Sequence, residues 1–500
     1  MDKKIFYRSK KQKLKFPMKI FDGYEYNIYR IKNGISYIRC YDRDSKACYA
    51  CGKIWNNRPQ LSVEHNHESN PKLGLYYTFQ EDLYNETIKR PYRSIRLIYD
   101  HLCLTNHEAA VEYTWVNMQP VMNNWRRLNR PLLPRKPQSL QDYAMLLSMP
   151  QYSHLTHYSQ GQLSVSTESS ADNSLVTVLY DLNFVMSVTT STLFMDATFK
   201  ITPKQPKVYQ VFTILAQINN KVSLPVCWML MCKKSAAAYI KGLEFFKTNV
   251  APHIAPNIVM TDFESSLKIA IREIYPEAVH SGCFFHFCQA LIKKLKKLGI
   301  LGLISTWKYG QIIMRKFMGL ALLPADDIVR GYQWLINNIP DGIKMILQPF
   351  LTYFYDEWII RTPPTMWSVF NLLHRTNNVT ESYNKKTTLR FGDHPTIWDF
   401  TEKLKNLQAV TRTEFESLNN GEEITRQRQS PEEVYHESKI KKMWDLYDSG
   451  ALDLPNFLAC ASDVSNAFRS NHYIILADNA DNNDDYEGLL IFLEIDVHDL

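Results

Sequence analysis

Cys40, Cys48, His65 and His67 fall in one short stretch of the chain. Two thiols and two imidazoles are the donor set that four-coordinate zinc prefers in a closed structural site. In "EHNH" the two histidines are separated by one residue, so an extended segment sends both to the same face, where they can converge on one ion. Four unrelated residues, or Cys51 in place of Cys48, are the alternatives. A second set is acidic. Asp196 follows the apolar run of "TLFMDATF", Asp262 ends "IVMTDF", and Glu381 lies in "RTNNVTESYNKK". Singly, each acid suits a surface or capping role. Delivered together by two strand ends and a helix start, they suit a hard cation such as Mg²⁺ or Mn²⁺. Two such ions about 3.5–4 Å apart can stabilise the attacking and leaving oxygens of a displacement at phosphorus. Between them stands Cys283-x-x-His286. Two ligands do not fill a zinc site, so this pair reads as a buried cysteine with a hydrogen-bonded histidine supporting the floor of an acidic site.

The elements that must position these groups change character along the chain. Residues 20 to 70 alternate aromatic or β-branched residues with polar ones, and Asn33-Gly34 is a hairpin signal. Residues 75 to 130 take a helical period, with a break or kink expected at Pro120. "RPLLPRKPQS" is a proline-rich connector, and the Ser- and Thr-rich stretch 154–174 reads as a loop. From 175, strand-like runs give way to alternating helix and strand, which predicts a mixed α/β sheet with helical crossovers. "HFCQALIKKLKKLG" is a helix with a lysine face and a terminal glycine. Residues 300–375 read as a helical insertion, and 376–410 as one further helix that starts near Glu381, with Asn377, Asn378 and Thr380 as cap and turn formers.

The 500 residues are 45% apolar and 13% aromatic, enough for several cores. The first residues are charged rather than signal-like, and no run of eighteen apolar residues occurs, so neither secretion nor membrane insertion is expected. Nine scattered cysteines read as reduced thiols. The net charge of +7 is unevenly placed. Lys3, Lys4, Arg8, Lys10, Lys11, Lys13, Lys15 and Lys19 crowd the start, Arg126, Arg127, Arg130, Arg135 and Lys136 follow, and Lys293, Lys294, Lys296 and Lys297 form a third group. Acids accumulate after Asp478. Basic clusters on such a background suit a polyanion, usually nucleic acid. No phosphate-binding loop, dinucleotide fingerprint or serine-hydrolase elbow is present.

"FDGYEYNIYR", "ISYIRC", "KACYAC" and "EHNHESNP" together resemble the FLYWCH-type zinc finger, a DNA- or protein-binding module. The resemblance implies Cys40, Cys48, His65 and His67 as zinc ligands. Ile38 departs from that family's tryptophan, while Tyr37 keeps the tyrosine before it. "MDATFK", "TDFE", "GCFFH" and "RTNNVTESYNKK", in that order, resemble the transposase domain of Mutator-like (MULE) DNA transposons. That resemblance implies an RNase H-like fold interrupted by an all-helical insertion. It also implies a catalytic Asp196–Asp262–Glu381 triad holding Mg²⁺ or Mn²⁺, with Cys283 and His286 as the family's Cys-x-x-His element.

The expected organisation is a finger with a basic leader (1–70), a helical connector (75–150), a first core segment (175–298), the insertion (299–375), core completion with the glutamate (376–410), and an extension with an acidic end (411–500). The expected activity is cleavage and strand transfer at transposon ends, in the nucleus, by a dimer or larger assembly on DNA. Lys293, Lys294, Lys296, Lys297, Asn377, Asn378, Lys385 and Lys386 are the candidate DNA contacts. The competing expectation is a domesticated, non-catalytic DNA-binding transcriptional regulator.

Overall fold

The computed structural model describes residues 2–3, 18–90, 93–129, 131–424 and 431–464. Most of the basic leader, Arg130 and the acidic end lie outside them. The chain divides into two compact units, 1–133 and 134–500, and the division falls inside the proline-rich connector.

The first unit opens with a six-stranded antiparallel sheet in sequence order: β1 (Asp2–Lys3), β2 (Met18–Phe21), β3 (Tyr24–Lys32), β4 (Ile35–Cys40), β5 (Cys51–Trp55) and β6 (Arg58–Val63). Its tight turns at Asp22-Gly23, Asn33-Gly34 and Asn56-Asn57 each place two successive residues at positive φ. That conformation matches the right-handed twist of the flanking strands, and Asn, Asp and Gly tolerate it best. A side chain at Gly52 would put its Cβ 2.1 Å from the Gln60 carbonyl oxygen, so glycine is required where β5 bulges against β6. The sheet buries little: Tyr26, Ile28 and Ile38 form its apolar core, with four partly buried neighbours. Ile38, the departure from the finger pattern, is completely buried there. Helices α1 (Leu73–Lys89), α2 (Ile95–Thr105), α3 (His107–Glu112) and α4 (Trp115–Asn129) pack around Phe79, Leu83, Met118, Met122 and Trp125. The expected break at Pro120 is absent. The helix breaks instead between α3 and α4 at Tyr113–Thr114, and Pro120 lies within α4.

The second unit begins with α5 (Leu140–Leu147), capped by the Ser139 hydroxyl, and a small ribbon of β7 (His157–Tyr158) and β8 (Gly161–Gln162). Its sheet comprises β9 (Ser164–Ser169), β10 (Leu175–Tyr180), β11 (Thr192–Thr198), β12 (Gln210–Gln217), β13 (Ser223–Met231), β14 (Ile258–Thr261) and β15 (Val279–Gly282), in the order β15-β14-β11-β12-β13-β10-β9. Strands β11 to β13 form an antiparallel meander that β10 and β9 continue. On the other side of β11, β14 and β15 run parallel to it. The stretch expected to be a loop therefore supplies an edge strand, β9. Hydroxyls replace apolar contacts there, as between Thr167 and Thr177 at 2.8 Å.

Alternation divides β11 between two layers. Leu193 and Met195 face α6 (Leu182–Ser187), α7 (Ala236–Phe245) and α8 (Ser265–Ile274), where the apolar cluster includes Phe184, Tyr239 and Leu267. Phe194 faces the opposite way and packs with Leu215 and Met260 against Val379 and Tyr383. Those two residues belong to α15, introduced below. Helices α7 and α8 are the crossovers that make the parallel pairing of β14 and β15 possible.

After β15 the chain leaves the sheet through α9 (Phe284–Lys297) into a helical body: α10 (Leu301–Thr306), α11 (Lys308–Gly319), α12 (Ala325–Asn337), α13 (Asp341–Phe354) and α14 (Pro364–Trp367). It returns in α15 (Asn378–Phe391) and α16 (Ile397–Asn419), which are two helices where one was expected; Gly392, at φ +70°, separates them. Helices α17 (Pro431–Asp448) and α18 (Leu454–Val464) then rejoin the helical body rather than forming a separate extension. Trp444, Phe457, Leu458 and Ala461 share its core with Phe317, Phe350 and Trp367, and the Trp444 indole N–H donates to the Leu322 carbonyl at 2.8 Å.

Candidate metal and catalytic centres

In the six-stranded sheet, Cys40 ends β4, Cys48 sits in the following loop, and His65 and His67 follow β6. Their ligand atoms lie within 4.8 Å of one another. Cys40 Sγ is 3.4 Å from His67 Nε2, Cys48 Sγ is 3.4 Å from His65 Nδ1, and the two imidazole nitrogens are 3.3 Å apart. These are close to the edges of a tetrahedron around zinc, given Zn–S of about 2.3 Å and Zn–N of about 2.0–2.1 Å. The remaining ring nitrogens are held from outside. His65 Nε2 meets the Tyr26 hydroxyl at 2.8 Å, and His67 Nδ1 meets the Glu68 carbonyl at 3.0 Å. Such second contacts fix the ring orientation that a metal requires. Tyr24 stacks on His65 with ring centres 3.7 Å apart. Burial, with Cys48 beside it, pushes the Cys40 thiol up to about 12. The cluster is compatible with Zn²⁺, and its second cysteine is Cys48; Cys51 is not part of it.

The acidic set is built by register. β11 pairs with β14 as Phe194 with Met260, so Asp196 and Asp262, each two residues further on, leave the sheet side by side on the same face. That face is the one covered by α15. Val379 and Tyr383 dock onto Phe194 and Met260, and the same stretch of helix carries Glu381, in its first turn, and Asn384. Asn384 Nδ2 donates to Asp196 Oδ2 at 2.9 Å, and the Ala197 N–H donates to Oδ1 at 2.8 Å. Asp262 Oδ1 accepts the Glu264 N–H at 3.1 Å.

Burial and the facing charges of Asp262 and Glu381 push the Asp196 carboxyl up to about 7, against the opposing influence of His286. Burial also raises Glu381, against the same histidine. Glu381 Oε1 is buried without a hydrogen-bond partner and lies 3.7 Å from His286 Nε2. Mutually repelling buried carboxylates with spare oxygen capacity fit a divalent cation.

The Cys-x-x-His pair sits on the same floor. Cys283 is wholly buried at the start of α9, its Sγ accepting the Asn377 N–H at 3.2 Å, and His286 lies in the first turn. Cys283, His286 and Glu381 present ligand atoms within 4.8 Å of one another; Asp196 and Asp262 are outside that close group. Burial lowers the His286 imidazole, but Cys283, Glu381 and Asp262 outweigh it and carry it up to about 10.

The candidate DNA contacts separate. Lys293, Lys297, Lys385 and Lys386 are exposed, and Lys294, Lys296 and Asn378 are half-buried. Asn377 is wholly buried, so its side chain offers no surface to DNA; the residue at this helix start packs under Cys283 instead. It also makes no side-chain cap. Asn384 was not among the sequence candidates. Its one signal is its place three residues after Glu381, on the same helix face.

Beneath the site, His280 Nε2 lies 2.7 Å from the Thr261 hydroxyl. Burial, with Lys268 and Arg272 nearby, holds this imidazole down at about 3. The folded form therefore binds its proton more weakly than the unfolded form, whose histidine titrates near 6.5. The stability tied to neutral His280 is complete above about pH 6.5 and is lost as pH falls toward 3, by at most about 1.4 kcal/mol per unit. Denaturant titrations at several pH values should give a shallower acid slope for His280→Gln; an unchanged slope would contradict the assignment.

A mixed α/β sheet whose strand ends gather carboxylates beside a cysteine and a histidine is the class that the geometry defines. Residues 192–290 match the family model of the MULE transposase domain, a span containing Asp196, Asp262, Cys283 and His286 and ending before Glu381. A search of curated proteins finds no match. The matched domain supports a transposase-type function acting on DNA. No helix among the described residues is long and apolar enough to cross a membrane.

Proposed function

We propose that the chain is a DDE-type DNA transposase of the MULE kind, with an RNase H-like core and an N-terminal FLYWCH-type zinc finger. The observation that carries the reading is the delivery of Glu381. The helical body intervenes between Asp262 and the glutamate, yet α15 lies on the face of β11 that bears Asp196, bonded to it through Asn384. The strand order, with a three-stranded meander on one side of β11 and two parallel strands on the other, supports the same core.

In this reading Asp196, Asp262 and Glu381 would hold Mg²⁺ or Mn²⁺, which would supply neutralisation of charge at the phosphodiester. The chain's residues prepare the site. Asn384 and the Ala197 N–H fix the Asp196 carboxylate, whose pKa burial and Asp262 hold up to about 7. Positioning then does most of the work for water attack and for strand transfer by the freed 3′-hydroxyl. Exposed Lys293, Lys297, Lys385 and Lys386 contact the DNA backbone with salt-dependent affinity. The finger and basic leader recognise the element's ends. Synapsis of two ends in the nucleus takes at least a dimer.

The test is Mg²⁺-dependent cleavage of DNA carrying any terminal inverted repeats found on either side of the gene. Cutting at the repeat ends, absent on shuffled DNA, is the expected result. Binding without cutting would overturn the enzyme and leave a domesticated DNA-binding regulator.

A further inference from the structure

The pair Cys283 and His286 becomes a different object once the fold adds Glu381. A thiol, an imidazole and a carboxylate come within 4.8 Å of one another, from the start of α9 and the first turn of α15. Ligands around tetrahedral zinc stand about 3.3–3.7 Å apart, given bonds of about 2.0–2.3 Å, so modest side-chain movement closes the group on an ion. Such a set, one sulfur, one nitrogen and one oxygen with a fourth position open, suits a borderline-soft cation and not Mg²⁺, which takes oxygen ligands.

Three further observations bear on this. The Glu381 Oε1 atom is buried with no hydrogen-bond partner. Asn377, wholly buried and donating its backbone N–H to Cys283 Sγ, leaves both polar atoms of its own amide unpartnered at the same point. The His286 and Glu381 side chains keep 15% and 9% of their surface, although Glu381 Oε1 itself is buried.

We propose that Cys283, His286 and Glu381 form a second, soft-metal site that takes Zn²⁺. Its occupation recruits Glu381 away from the hard-cation site. Zinc therefore acts as a competitive brake on Mg²⁺-dependent chemistry at Asp196 and Asp262. The brake rests on the transposase reading; the site itself rests only on the three ligands. An adjacent thiolate–imidazole pair binds zinc far more tightly than it binds magnesium, so free zinc well below the magnesium concentration fills it.

The experiment is cobalt titration of the full chain without Mg²⁺, which would compete for Glu381. Only cysteine-bound cobalt gives the intense thiolate-to-metal absorption. The finger contributes two thiolates and this site one, so Cys283→Ser should lower the saturated band by about one third. Glu381→Gln, which keeps the thiolate and the side-chain volume, should leave the band height but weaken the last cobalt by about tenfold or more. The Cys40→Ser, Cys48→Ser double variant should retain about one third of the band. A band that is unchanged by Cys283→Ser, or absent from the double variant, would overturn the site. No DNA is needed, so this failure is distinct from failure of the enzyme. With the site established, micromolar Zn²⁺ should slow end cleavage by wild type, with the inhibition relieved by raising Mg²⁺. Inhibition that Mg²⁺ does not relieve would overturn the competition.

Discussion

Glu381→Gln reduces Mg²⁺-dependent cleavage of element-end DNA by about 10³-fold or more, with DNA binding retained. The substitution keeps the volume and one oxygen and removes the negative charge. Glu381 is raised by burial but faces His286, which favours its ionised form. It is a carboxylate placed where its charge is costly without a cation, so a neutral amide costs little structure and most of the metal affinity. Asp196→Asn should cost as much, because its carboxylate is even more tightly enclosed. Asn384→Ala should cost less, about tenfold, with a weaker apparent Mg²⁺ affinity, since it orients Asp196 without facing the ion. Single-turnover cleavage with DNA binding measured in parallel checks all three. Equal activity of wild type and Glu381→Gln would remove the glutamate from the chemistry.

Cys40→Ser is expected to abolish zinc binding by the Cys40, Cys48, His65 and His67 cluster and to unfold the sheet at 18–67. Its apolar core is Tyr26, Ile28 and Ile38, too little to hold a six-stranded sheet alone. Structural zinc supplies about 10–16 kcal/mol in comparable modules, so losing one thiolate is expected to cost the fold of this segment. Cys51→Ser should do neither, because Cys51 is outside the cluster. Zinc content per chain and proteolysis of the segment give the result. The second unit has its own cores and should keep its protection from proteolysis. Equal damage from Cys51→Ser and Cys40→Ser would mean that the ligand set is wrong.

The chemistry-bearing residues were readable because their neighbours are strongly patterned. The apolar runs before Asp196 and Asp262 mark buried strands, and alternation puts each acid on a definite face. Other features left no local trace. Ser164–Ser169 reads as loop because an edge strand can satisfy itself with hydroxyl pairs. Asn377 reads as a surface cap former, yet packing under Cys283 buries it, a contact across long sequence separation. Helices α17 and α18 carry no motif, and only the fold shows Trp444, Phe457 and Leu458 completing the helical core. Choosing between Cys48 and Cys51 needed the path of the loop after β4, which spacing does not specify. Pro120 lies inside α4, and the chain breaks instead at Tyr113–Thr114.

The central claim is that Asp196, Asp262 and Glu381 serve one hard cation although the helical body intervenes before the last of them. Mn²⁺ binding followed by electron paramagnetic resonance, with the finger and any soft site already filled by zinc, would not bear on Glu381 freely, so the titration is run on zinc-free full-length Cys283→Ser protein. Each of Asp196→Ala, Asp262→Ala and Glu381→Ala should then lose the tightly bound Mn²⁺ signal, by at least about tenfold in affinity. Retention of that signal in the Glu381→Ala variant, with loss in the two aspartate variants, would contradict the triad.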